Sequence, residues 1–285
     1  MKLLITGASG FVGNYFIKSY ADKYEIETFS FLKGDLKALH VSGIDVVIHL
    51  SALVHQMGLM PSASEYERVN VAQTLQLAQK AKESGAGQFI FMSTVKVYGE
   101  ETQEIYTESS PCKPEDEYGK SKLRAENELL KLEDENFKVS IIRTPIVYGK
   151  GVKANIKNLV KLIKKVPLLP FGDTKNRRSM IYIGNLCHLI DEVVKQRKSG
   201  IFLASDDEPL STSGLIELIA KSLDKKIFLV TIPLFETFLK LLKPTFHKRL
   251  YGSLEVNNSE TKQKLSLTNP YTVEEGIELM LQGER

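Results

Sequence analysis

The sequence predicts an α/β protein built on a doubly wound parallel sheet, with a smaller part toward the C-terminus. Three observations carry this prediction. Short apolar runs alternate with longer amphipathic ones through the first 150 residues. A glycine-rich turn follows the first apolar run directly. After Gly149 the alternation stops.

The strands come in the order "KLLIT" (2–6), "EIETFSF" (25–31), "DVVIHL" (45–50), "QFIFMS" (88–93) and "KVSIIRT" (138–144). They are continuously apolar rather than alternating, as strands covered by helices on both faces must be. Helical periodicity falls at 11–23, 64–84 and 117–135. Strand then helix, repeated, gives βαβ units. Only 31–44 separates the second strand from the third, so one helix and one strand of a full doubly wound fold are missing there. Residues 149–179 read as a loop, a basic helix (153–165, a solvated face) and a Pro/Gly-rich turn region. A short strand, a helix and the strand "GIFLA" follow within 179–204, then short helices and one more strand, "KIFLVTI" (226–232). The segment 233–244 is an amphipathic helix suited to core packing or a dimer face rather than to a membrane anchor. The expected division is 1–150 with 179–203 as a nucleotide-binding domain, and 151–178 with 204–285 as a substrate-binding part. A ligand cleft lies between them.

Composition excludes several classes. The chain has 285 residues, is 42% hydrophobic and 26% charged, and carries a formal net charge of +3. That charge is too small to argue for nucleic acid. No apolar run reaches the roughly 20 residues of a membrane span, so no membrane partner is expected. "MKLLITGASG" enters a strand and a turn rather than a secretory signal. Cys112 and Cys187 are far apart and outside any CxxC pair, which points to a reducing cytoplasm. His40, His49, His55, His188 and His247 show no metal-ligand spacing, so no metal is expected. His49, inside an apolar strand, reads as a satisfied core residue.

"TGASGFVG" places Gly7, Gly10 and Gly13 between the first strand and the first helix. Gly7 permits the tight turn, Gly10 lets the backbone approach a pyrophosphate, and Gly13 allows close helix–strand packing. Free N–H groups at the helix start then face the anion. Ser9, Phe11 and Val12 belong to the same loop. This turn makes the sheet Rossmann-type and the ligand a dinucleotide. An acid often ends the second strand of such sites, to hold the adenosine ribose. Here Ser30 stands at that position, with Lys33 nearby. A hydroxyl removes the repulsion between a carboxylate and a 2′-phosphate, which favours NADP(H), with NAD the alternative.

"YGKSK" sets Tyr118 and Lys122 four apart, on one helix face. A tyrosine of pKa about 10 exchanges protons poorly at neutral pH. A neighbouring ammonium and a cationic nicotinamide would favour its phenolate. Thr94, with Ser93 beside it, ends the fourth strand and can orient a substrate oxygen. Alternation along an extended segment would turn Thr94, Lys96 and Tyr98 toward one cleft. Lys96 would meet a sugar hydroxyl or a phosphate, or be solvated. His55, in the loop after the third strand, is a further candidate for substrate contact.

These residues resemble the extended short-chain dehydrogenase/reductases of the NAD-dependent epimerase/dehydratase family, enzymes of nucleotide-activated sugars. The likeness runs through "TGASGFVG", "GDL" (34–36), "DVVIHLSA" (45–52), "VNVAQTLQLA" (69–78), "STVKVYG" (93–99), "YGKSK" and "IIRTPIVYGKG" (141–151). It implies Thr94, Tyr118 and Lys122 as the catalytic set. It also implies Asp35 and Leu36 beside the adenine, Leu50, Ser51 and Ala52 along the cofactor, Asn70 behind the active site, and Pro145 and Val147 at the nicotinamide. Arg178 would clamp the sugar-nucleotide diphosphate, with Asn155 near its phosphates; Arg177 shares that role or is solvated. A homodimer through the helices 64–84 and 117–135 is common in the family. Val95 and Lys96 stand where sugar 4,6-dehydratases carry Asp-Glu, which argues against dehydration. The nearer likeness is to reductases of UDP-4-keto-6-deoxy-N-acetylhexosamines and to UDP-sugar 4-epimerases. Reduction with NADPH is the first expectation, on Ser30, the shortened adenosine side, "VKANIKNL" and "NRRS". Epimerisation with retained NAD is the alternative, and Tyr98 in "VYG" is its form. A non-catalytic NADP(H)-binding sensor or assembly protein is a third possibility, which the presence of both Tyr118 and Lys122 opposes.

Overall fold

The computed structural model describes residues 1–54, 61–102, 104–172 and 174–283. Six parallel strands form the central sheet, in the order β2-β1-β3-β4-β5-β9. They are β1 (Lys2–Thr6), β2 (Glu25–Phe29), β3 (Val46–His49), β4 (Gln88–Thr94), β5 (Lys138–Thr144) and β9 (Gly200–Leu203). The order reverses at β1. The crevice at that switch point is where such sheets hold ligands. β4 and β5 pair in register from Gln88–Lys138 to Thr94–Thr144, which sets Ser93 beside Arg143.

Helix α1 (Phe11–Tyr20) follows the glycine turn. Between β2 and β3 only a short 3-10 turn, Leu36–Ala38, is present, capped by the Asp35 carboxylate. The expected missing helix and strand are therefore absent from this described stretch. The helix expected at 64–84 is interrupted. α2 (Ala63–Tyr66) and α3 (Gln73–Glu83) flank a π-helical segment, Glu67–Ala72. Such widened turns often serve a function, and Asn70 lies in this one. α4 spans Glu117–Leu130.

Beyond β5 come β6 (Ile146–Tyr148), α5 (Ala154–Lys165), β7 (Leu168–Leu169), β8 (Met180–Tyr182) and α6 (Ile183–Gln196). After β9 come α7 (Thr212–Ser222), β10 (Phe228–Leu229), α8 (Phe235–Leu242), α9 (Pro244–Tyr251), α10 (Ser259–Leu265) and α11 (Val273–Leu281). The strand expected at 226–232 shrinks to β10, paired with β7. The helix expected at 233–244 ends at Leu242, and Pro244 starts a second one. Proline suits a first helical position because that N–H has no partner anyway.

The sheet is covered on both faces. On one, Leu4, Val47, Phe89 and Val139 pack with Leu77 of α3 and Leu129 of α4. On the other, Leu3 and Ile5 join a core that includes Ile156 of α5, Ile190 of α6, Ile216 of α7 and Ile277 of α11. Each such side chain, fully buried, contributes about 1.5–3 kcal/mol. This second core takes residues from both proposed pieces of the chain. α10 also packs on β9 and α6. The division into 1–150 with 179–203 and 151–178 with 204–285 is our proposal for two functional parts on one shared core.

Candidate active site

The glycine turn has the geometry of a phosphate cradle. Gly7 sits at φ +73°, and a Cβ there would lie 2.9 Å from the Leu50 carbonyl carbon and the Ser51 nitrogen. A Cβ on Gly13 would lie 2.4 Å from the Gly7 carbonyl oxygen. Gly10 caps α1 with no side-chain bond, so the first N–H groups of the helix remain for an anion. Ser9 is exposed, and Phe11 and Val12 are half-buried against the core. Leu50, Ser51 and Ala52 form a half-buried strip right after β3. The Ser51 N–H donates to Thr6 Oγ1 at 3.3 Å. A bound dinucleotide fits this arrangement: its pyrophosphate needs close backbone approach, and only glycine leaves room. Ser30 and Lys33 are exposed in the turn after β2, where the Ser30 carbonyl accepts from Lys33 N and Gly34 N. Leu36 packs half-buried beneath it.

His49 is the core histidine the sequence suggests. Its Nδ1 meets Thr6 Oγ1 at 2.7 Å and its Nε2 meets Thr74 Oγ1 at 3.0 Å. Burial pulls the imidazole pKa down to about 3. Asn70 clamps the neighbouring loop. It accepts from Leu53 N at 2.8 Å, and donates to Leu53 O and Ser121 Oγ, both at 3.0 Å. It thus ties the cofactor-lining loop to α4.

Tyr118, Lys122 and Glu126 recur every four residues of α4. Lys122 is buried, donates to the Met92 carbonyl at 2.8 Å and lies 4.3 Å from the centre of the Phe91 ring. Burial pulls its ammonium down to about 7. Burial pushes the Tyr118 phenol above its ordinary value, and Asp116 and Tyr66 add to this. The lowering expected of Tyr118 is therefore not a property of the unliganded chain. Lys122 is held by a backbone carbonyl, and a positive nicotinamide would come only with the cofactor.

A cavity of about 260 Å³ opens beyond the C-terminal ends of β4 and β5. Thr94, Lys96 and Tyr118 line it from the sheet side, with Thr144 and Pro145; Asn155, Arg178 and Arg249 line it from the other. The structure thus brings six of the expected residues to one space: Thr94, Lys96, Tyr118, Pro145, Asn155 and Arg178. Lys96 is not free in it. Its Nζ pairs with Asp116 at 2.6 Å and Glu100 at 2.7 Å. Burial works against that charge, but the two carboxylates outweigh it and hold the ammonium above its ordinary range. Asp116 also caps α4 at the Gly119 N–H, 2.7 Å away. Lys96 therefore anchors the start of the helix that carries Tyr118.

Two expectations are corrected. Ser93 does not face the cavity; its hydroxyl donates to Glu126, whose carboxylate takes Arg143 at 2.6 Å. Tyr98 does not share a face with Thr94 and Lys96. A 3-10 turn, Val95–Val97, replaces the extended segment that the alternation assumed. The Tyr98 ring is buried against Tyr106, and its oxygen accepts from Arg143 at 2.6 Å. Val147, expected at the nicotinamide, is half-buried with its side chain against the main core. His55 lies outside the described residues.

Arg178 donates one nitrogen, Nη1, to the carbonyls of Gly252 (2.9 Å) and Lys248 (3.2 Å). Among the described residues it has no carboxylate partner. Burial pulls its guanidinium below the ordinary value. Arg177 turns away and pairs with Glu255 at 2.6 Å. Lys248 and Arg249 were not legible: they stand 70 and 71 residues beyond Arg178, and only the packing of α9 brings them to the cavity. A second cavity of about 230 Å³, largely apolar, shares Ile146, Asn155, Arg178 and Arg249 with the first.

Comparison with known proteins gives the chain its family. The model of the NAD dependent epimerase/dehydratase family matches residues 3–203. A UDP-glucose 4-epimerase of Vibrio cholerae is 36% identical over 312 residues, covering 99% of this chain and 95% of the relative. An N-acetyl-alpha-D-glucosaminyl-diphospho-ditrans,octacis-undecaprenol 4-epimerase of Escherichia coli O157:H7 is 27% identical over 99% of this chain and 95% of the relative. The crystal structure of a UDP-N-acetylglucosamine 4-epimerase from Bacillus cereus superposes with TM-score 0.80 at 20% identity, covering 100% of this chain and 99% of that one. At that identity it speaks for the fold.

Proposed function

The chain belongs to the NAD dependent epimerase/dehydratase family, and we propose that within it the protein is a UDP-sugar 4-epimerase that keeps NAD bound through its cycle. The observation that carries this reading is the full-length likeness, 36% identical, to a UDP-glucose 4-epimerase. The cleft supports it. When bound, the dinucleotide supplies the acceptor and donor of a hydride at sugar C4. Tyr118 takes the proton from the C4 hydroxyl and gives it back. Thr94 holds that oxygen. Loss of a hydride from C4 and a proton from its hydroxyl leaves a ketone; return of the hydride to the opposite face of C4, with the proton going back to the oxygen, inverts the centre. Arg178 and Arg249 hold the diphosphate through charge-assisted bonds, while the adjoining cavity leaves the sugar space to turn. Lys122, already bonded to Met92 O, positions the cofactor and the phenol.

Of the features that first suggested reduction, Ser30 and the shortened segment before β3 bear on which dinucleotide is held, while "VKANIKNL" and "NRRS" bring Asn155 and Arg178 to the cleft, where they would serve either reaction. A second reading takes the sugar diphosphate on a polyprenol. It is supported by the other relative's description and by exposed Phe246 and Leu162 at the apolar cavity beside Arg178.

The test uses two mixtures: enzyme with NAD and UDP-glucose or UDP-N-acetylglucosamine, and enzyme with NADPH and a UDP-4-keto-6-deoxy-N-acetylhexosamine. A gluco/galacto equilibrium in the first, with no net cofactor change, is the expected result. Stoichiometric loss of reduced-nicotinamide absorbance in the second alone would reject epimerisation in favour of reduction.

A further inference from the structure

The C-terminal part leaves a large apolar surface uncovered. In α8, Phe235 and Leu239 turn partly inward. Leu234, Phe238, Leu241 and Leu242 are 79%, 61%, 77% and 63% exposed, and α8 has no buried residue at all. Positions 234, 238, 241 and 242 form one stripe on a helix. The helix is therefore apolar on two sides and covered on one. Leu234 also holds φ +63°, a conformation costly for a bulky side chain. Phe246 of α9, Phe228 of β10 and Leu168 of β7 extend the patch, at 49%, 63% and 50% exposed.

Charge separates this region from the rest of the molecule. Residues 150–178 hold nine Lys or Arg against one Asp, and residues 221–252 hold seven against one Asp and one Glu. Together they carry a formal +13 in a chain whose total is +3, so all other residues carry −10. These two stretches build α5, β7, β10, α8 and α9, the elements around the patch. They are adjacent in space: Leu162 of α5 and Phe246 of α9 line one cavity. Glu236, an acid within the patch, is already paired with His247 at 3.0 Å. A two-fold contact through this face would bring two net-basic regions together, which disfavours a second copy as the occupant.

We propose that this face docks the protein on an anionic lipid bilayer, with α8 lying in the plane of the interface. An apolar stripe enters the boundary between headgroups and acyl chains, while flanking Lys residues meet lipid phosphates. The contact is peripheral. Among the described residues no helix is long and apolar enough to cross a membrane. α9 also carries Arg249 to the cleft, so docking sets the cleft beside the lipid surface. The proposal is independent of the sugar turned over.

Flotation of the full chain with vesicles tests it. Phosphatidylcholine vesicles containing phosphatidylglycerol should carry the protein at low salt; pure phosphatidylcholine vesicles should not. The double variant Phe238→Glu/Leu241→Glu, and separately Lys240→Glu/Lys243→Glu, should each lower the bound fraction by about tenfold or more, the first by putting carboxylates into the apolar stripe and the second by reversing charges that meet lipid phosphates. Both variants should keep their melting temperature and their turnover of soluble substrate, which makes failure here distinct from failure of the epimerase reading. Absence of flotation with anionic vesicles overturns the proposal. So does binding that the Phe238/Leu241 variant leaves intact, or a dimer in solution that this variant dissociates.

Discussion

On the sheet side of the cleft, Arg143 gives Nε and Nη2 to Glu126 and Nη1 to Tyr98, and Glu126 also takes the Ser93 hydroxyl. On the opposite wall, Arg178 gives one nitrogen to two carbonyls and, among the described residues, forms no ion pair, although Glu101 and Glu100 lie near enough to favour its charge. Arg143 is buried, whereas Arg178 is half-buried. The first is closed on itself and the second is open toward a cavity. A buried charge with every partner inside the chain has structure as its product. A half-buried charge that no carboxylate pairs is left to meet an anionic ligand through charge-assisted bonds.

On the proposed reading the sheet wall also holds the proton chemistry, and its largest expected effect is kinetic. Tyr118→Phe removes the exchanging proton and leaves the ring. kcat should fall by roughly 10²–10⁴-fold, while UDP and cofactor affinities by calorimetry stay within a factor of a few. If UDP affinity fell as steeply as kcat, the two walls would not divide the labour in this way.

Glu126→Ala tests the closed network. It strands Arg143, only 4% exposed at its side chain, and should cost about 3–5 kcal/mol in denaturant unfolding. Arg178→Ala should change stability far less, because no acid is orphaned. Similar stability losses for the two would erase the contrast between closed and open charge.

Arg178→Ala sharpens the open wall. Loss of a charge-assisted pair is worth about 1.5–3 kcal/mol, or roughly 10- to 150-fold weaker UDP binding. Cofactor affinity should hold. Unchanged UDP affinity would move the diphosphate away from Arg178.

The sheet wall was far more legible in the sequence than the opposite one, and the reason is physical. The glycine turn, the strand ends and Tyr118/Lys122 depend on local geometry, so short spacings record them. Arg249 reaches the cavity through tertiary packing, which spacing does not encode. Tyr98 misled because a 3-10 turn after Thr94 breaks the two-residue alternation of a strand, and apolar Val95 and Val97 fit either conformation. The helix at 233–244 misled differently. Its amphipathic pattern implied a buried face, whereas the fold covers Phe235 and Leu239 and leaves the other stripe to solvent.

The smallest expected effect belongs to His49, on the sheet wall, and reads burial through pH. Its folded pKa is about 3 against an ordinary 6.5. Between those values the unfolded chain binds a proton that the folded chain refuses. Stability from this group is therefore complete above pH 6.5 and is lost as pH falls toward 3, at about 1.4 kcal/mol per unit. His49→Gln keeps hydrogen-bonding capacity for Thr6 and Thr74 without titrating there. The variant should be less stable at pH 7, but its stability should fall less steeply than the parent's between pH 6.5 and 4.5 in urea unfolding. Parallel slopes would mean that His49 takes up its proton in the folded state, and that this wall admits charge more readily than its closed hydrogen bonds imply.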